Sequence, residues 1–138
     1  MTRSPNRLLA VVFGAVYLVV GLLGFITTSA SNTGFFETSG GLLLGIFEVN
    51  VFHNVAHLVI GAALLLAGLS GVSAARTVNS VVGATYLVLG IVGLFITGTD
   101  ANILALNGAD HILHFASAVL LLGVGLGADK GVSHAAVA

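Results

Sequence analysis

The chain has no cysteine among its 138 residues. Disulfides, thiolate metal sites, iron–sulfur ligation and thiol nucleophiles are therefore excluded, and cysteine usage says nothing about redox compartment. Charge is almost as scarce. Four Lys and Arg stand against five Asp and Glu, for a net charge of -1. With neither a basic field nor an acidic tail, nucleic acid is excluded as a partner. Proline occurs once, and the period-two alternation of barrel strands is missing. No Gly-x-Ser-x-Gly elbow, HExxH helix or pair of catalytic carboxylates is present, so the expectation is that the chain is not an enzyme.

What remains is apolar. Hydrophobic residues make up 57% of the chain and the mean hydropathy is +1.13, well outside the range of water-soluble domains. A bilayer core about 30 Å thick needs roughly 20 mostly apolar helical residues. Four stretches meet that requirement, at 8–26, 50–69, 78–96 and 107–126. The first and third carry no ionisable group except one tyrosine each. The second and fourth reach spanning length only with the polar residues at their N-terminal ends. Backbone polar groups in lipid must be satisfied within their own segment, so these stretches are expected to be helices. The prediction is one integral membrane domain over residues 1–138, an all-α bundle of four transmembrane helices, with 127–138 as a tail in which His134 needs no role.

The charges test that topology independently. With four spans, both termini and the Ala74–Thr77 connection fall on one side, where Arg3, Arg7, Arg76 and Lys130 all lie. Glu37, Glu48, Asp100 and Asp110 fall on the other, and only Asp129 joins the basic side. The positive-inside rule makes the basic side, with both termini, cytoplasmic. The first helix has the flanks of a signal peptide, but its apolar run is long and a near copy recurs in mid-chain, so it is expected to be retained.

That near copy is an internal repeat. Gly14, Tyr17, Gly21 and Gly24 match Gly83, Tyr86, Gly90 and Gly93 at a constant offset of 69 residues, and Asn50-x-x-His53-Asn54-x-x-His57 matches Asn107-x-x-Asp110-His111-x-x-His114 at an offset of 57. Two tandem helical hairpins, about 8–69 and 78–126, are thus expected to enter the membrane in parallel. In lipid, small residues let helix backbones approach, so the six glycines are read as packing surfaces, or else as room for a flat cofactor. Tyr17 and Tyr86 lie too deep for an interfacial belt and are expected to hydrogen-bond a neighbouring helix.

Any chemistry should reside where Glu48, Asn50, His53, Asn54 and His57 meet Asn107, Asp110, His111 and His114. His53 and His57 share a helix face, as do Asp110 and His114. The plainest reading treats Asn50 and Asn107 as N-caps, Asp110 as half of a capping box, and the rest as interhelical hydrogen bonding. Three sharper readings stand beside it: a bis-histidine haem b site on His57 and His114; a divalent metal on His53, His57, His111 and His114 completed by Asp110 or Glu48; and a proton, ion or small-solute path, which would find no charged residue in the cytoplasmic half of any span. The piece Gly41–Phe47 is too short to span and is expected to lie at the interface or re-enter over these histidines.

The Gly45-Ile46-Phe47-x-x-Asn50-x-x-His53-Asn54-x-x-His57 run, followed by Asp110-His111-x-x-His114, resembles a family of small bacterial membrane proteins, frequent in actinobacteria, known as domain of unknown function 4383. The resemblance implies a four-helix protein of the bacterial inner membrane and no activity, substrate or cofactor. The expected role is a non-catalytic structural or interaction protein of the plasma membrane, with the lipid bilayer and other membrane proteins or a second copy as partners; a cofactor-binding protein or a permease is the alternative.

Overall fold

A computed structural model describes residues 4–131; Arg3 and His134 lie outside them. Four helices, α1 (Pro5–Ala30), α2 (Val51–Ser70), α3 (Val72–Ile96) and α4 (Gly108–Gly127), are each long and apolar enough to cross a bilayer. The chain is a multi-pass membrane protein.

Local chemistry sets the helix ends. Ser4 accepts a hydrogen bond from the Arg7 backbone N–H and Pro5 opens α1, where a missing N–H has no consequence. Asn50 and Asn107 stand just outside α2 and α4 as N-caps, each accepting from the backbone N–H three residues on. Between α2 and α3 a single residue, Gly71, leaves the helices. The connection expected at Ala74–Thr77 is instead helical, because the turn is made three residues earlier, with the Gly71 N–H donating to the Ala67 carbonyl.

α1 packs along α2 and α3 along α4, and α1 also meets α3. Glycine permits the close pairings. A β-carbon on Gly14 would stand 2.5 Å from the Leu65 backbone nitrogen and one on Gly61 2.8 Å from that of Leu18; on Gly83 it would meet the Leu122 nitrogen at 2.7 Å. Gly21 and Gly24 receive the Leu58 and Asn54 side chains, and Gly90 and Gly93 the rings of Phe115 and His111. The six glycines thus lie on the α1–α2 and α3–α4 contacts, with no slot left for a flat group. Ala10, Tyr17, Leu64, Ala75, Val82, Tyr86, Ala118 and Leu121 fill the centre. Large apolar side chains such as Ile26, Phe95, Ile112 and Val119 point outward, as suits a lipid-facing surface.

The Gly41–Phe47 region, expected to lie at the interface or re-enter, belongs to a β-hairpin. Gly41–Leu43 (β1) and Phe47–Val49 (β2) pair antiparallel, Leu43 opposite Phe47. Leu44 (φ 54°) and Gly45 (φ 76°) turn the chain through the left-handed conformations that tight hairpins require. The hairpin buries Leu43 and Val49 and lies over the ends of the bundle where the acidic residues gather.

Candidate functional site

At that acidic end, the two connections are stitched together by side-chain amides. The Asn50 Nδ2 donates to the carbonyls of Glu37 (2.8 Å) and Ile103 (2.7 Å), and the Asn107 Nδ2 to that of Ile46 (2.8 Å). Asn102, fully buried, closes the shorter connection on itself through the Leu106 N–H and carbonyl and reaches Thr38 in the longer one. Glu48 turns to accept from the Gly40 N–H at 2.8 Å. Together with Leu43, Val49, Ala105 and Leu106, these contacts make a cap beneath which the histidines lie.

His53 and His57, one helical turn apart, stack with ring centroids 4.6 Å apart and nearly parallel. His114 approaches from α4, its ring 6.4 Å from that of His53. Below them, Tyr17 lies 5.5 Å from His57, Tyr86 lies 5.2 Å from His114, and the two tyrosine rings are 5.7 Å apart. The Tyr17 hydroxyl donates to Ser117 Oγ on α4 at 2.9 Å. His53, His57, Tyr86 and His114 surround a cavity of about 30 Å³ closed by Ala56, Ile60, Leu89 and Leu104. The Nδ1 atoms of His53, His57 and His114, like that of His111, are buried and have no hydrogen-bond partner among the described residues.

His111 is separated from this group. Its ring lies on Gly93, and its Nε2 is 2.8 Å from Thr97 Oγ1. That hydroxyl already donates its only proton to the Gly93 carbonyl at 2.7 Å, so it accepts from His111, and the proton of the imidazole is on Nε2. Asn54 does the same work on α2: its Nδ2 donates to Thr28 Oγ1, which donates to the Gly24 carbonyl. Asp110 is also turned away. Its carboxylate accepts from the Asn107 N–H at 2.8 Å, completing a capping box.

Two of the sharper readings do not fit this geometry. A metal on His53, His57, His111 and His114 completed by Asp110 or Glu48 does not fit: Asp110 and Glu48 are hydrogen-bonded elsewhere, the His111 ring is turned to Thr97, and among the described residues no three His, Asp or Glu side chains are gathered to hold an ion. A haem between His57 and His114 does not fit either, because a space of about 30 Å³ admits roughly one water molecule and no macrocycle.

Several further polar residues join helices within the bundle. Thr28 and Thr97 follow Gly24 and Gly93 by four residues, so the repeated Gly-x-x-x-Thr pattern was a usable signal. Asn6 and Asn79, fully buried at the basic end, are joined through the Asn79 Nδ2, 3.0 Å from both the Asn6 carbonyl and its Oδ1. For Asn79, an amide within the apolar stretch 78–96 was the signal.

The family model "Domain of unknown function (DUF4383)" matches residues 7–127. No curated protein and no solved structure matches the chain.

Proposed function

The chain belongs to the DUF4383 family, and from that premise we propose a non-catalytic structural or interaction protein, set in the bacterial plasma membrane with both termini cytoplasmic and built as two tandem parallel hairpins. One observation carries this reading: four pairs of polar side chains within the bundle hold helices together. Tyr17–Ser117, Asn54–Thr28, His111–Thr97 and Asn79–Asn6 each join two helices. Hydrogen bonds of this kind contribute about 0.6 kcal/mol apiece in a bilayer. Leu64, Val82 and Leu121 close the bundle beneath the tyrosines, which argues against a permeation path. The matched Gly, Tyr, Thr and His positions of the two halves support the tandem arrangement, and the distribution of Arg and Lys supports the orientation. Its partners are the bilayer and other membrane proteins or a second copy.

The test is a spectrum with elemental analysis on detergent-purified protein. We expect no Soret band and no stoichiometric metal. One haem or one metal ion per chain overturns the proposal. So does a folded variant lacking His53, His57, His111 and His114 that has lost an enzymatic or transport activity of the natural chain.

A further inference from the structure

The basic end of the bundle is built differently on its two sides. On the first, Arg7 near the start of α1 bends over the end of α2: its Nε donates to the Gly68 carbonyl at 2.9 Å and its Nη2 to that of Leu69 at 3.2 Å. The spacing that matches the two halves places Arg76 opposite Arg7, and Gly125 and Leu126 opposite Gly68 and Leu69. Arg76 makes no such bonds. Its Nε is buried and has no partner among the described residues. In place of the closed contact there is a crevice of about 420 Å³ between α3 and α4, lined by Ser73, Arg76, Thr77, Ser80, Val81 and the end of α4.

The lining indicates the occupant. At the polar end stand the Arg76 guanidinium and the hydroxyls of Ser73 and Thr77, on the first turns of a helix whose N-cap, Gly71, offers no side-chain acceptor. Two hydroxyls with a forked cation beside them suit a phosphate. Ser80 is not free to help, since its hydroxyl donates to the Arg76 carbonyl at 2.8 Å. Among the described residues the acidic group near Arg76 is Asp129, which is already engaged by Ser4 and Asn6. At the other end the walls are Val81 and Leu126, both more than half exposed on the apolar surface of the bundle. A crevice that runs from a cation into lipid-facing side chains fits an amphiphile better than a free ion.

We propose that this crevice binds the phosphate headgroup of an anionic phospholipid, held by Arg76 with Ser73 and Thr77, its acyl chains running over Val81 and Leu126. The site rests on the membrane setting and not on the proposed role, so either can fail without the other.

The full chain, purified in mild detergent and given phosphatidylglycerol or phosphatidylcholine, is read by native mass spectrometry. One phosphatidylglycerol per chain should be retained, in preference to phosphatidylcholine, and R76Q should lower that retention about fivefold or more while K130Q leaves it unchanged. R76Q in phosphatidylcholine micelles should still melt in a single cooperative transition, which separates loss of the lipid from loss of the fold. Equal retention of both lipids, or equal retention by R76Q, overturns the proposal. So does displacement of the lipid by inorganic phosphate at low excess, which would make this a free-anion site, and so does retention only in a chain ending at Gly131, which would make residues 132–138 the occupant.

Discussion

Asp129 shows how much one side chain just past the end of a helix can organise. Its Oδ2 accepts from Ser4 Oγ (2.8 Å), the Asn6 N–H (3.1 Å) and the Asn6 Nδ2 (2.9 Å), joining the start of α1 to the end of α4. Burial pushes the carboxyl up, but the hydrogen bonds from Asn6 and Ser4, with Arg76 nearby, outweigh it and hold the group below its ordinary value of 3.8. A depressed carboxyl contributes stability above its unfolded value and loses that contribution as pH falls through the folded one. Melting temperatures measured across pH should therefore drop for the natural chain below about pH 4, while D129N should start lower near neutrality and show a shallower acid drop. Identical acid profiles for the two chains would count against this tie.

At the scale of the helix, glycine placement decides which surfaces meet. Gly14 sits against the backbone of α2, whereas Gly123, on α4, has nothing within 4 Å of where a β-carbon would stand. G14A must therefore push α1 off α2, with an expected loss of about 1–3 kcal/mol. G123A should be neutral or stabilising by up to about 1 kcal/mol, since alanine is the better helix former. Unfolding of both variants in mixed micelles checks this; equal losses would mean that helix propensity rather than contact is being measured. Tyr17 donates across to Ser117, whereas the position in α2 that corresponds to Ser117 is Ile60, which offers Tyr86 no hydroxyl.

For the whole molecule, two pairs of helices are joined at Gly71 by a single residue, and the contacts between the pairs are spread from end to end. They include Asn79–Asn6 and Asp129–Ser4 at the basic end, Tyr17–Ser117 in the middle, and Asn50–Ile103 and Asn107–Ile46 at the acidic end. With so many ties independent of the covalent link, the two halves expressed together as chains cut at Gly71 should copurify and melt as one unit. Recovery of either half alone would show that the link itself is needed.

The sequence by itself determined the four apolar helices, the polar cluster at one end and the placement of Asn50 and Asn107 at helix starts. Each of these depends on composition over one span or on spacing within one turn. Only the tertiary structure decided how the cluster divides. His53, His57 and His114 face one another, while His111 turns to Thr97 and Asp110 to its own cap, because a side chain's partner depends on the rotation of whole helices, which no local spacing reports. The β1–β2 hairpin was hidden for a related reason: Gly41–Phe47 carries apolar residues with no helical or alternating period, and its pairing is set by the left-handed turn at Leu44 and Gly45 and by the bundle end beneath it. Arg7 and Arg76, alike in sequence, ended with different surroundings because one pair of helix ends closes and the other does not.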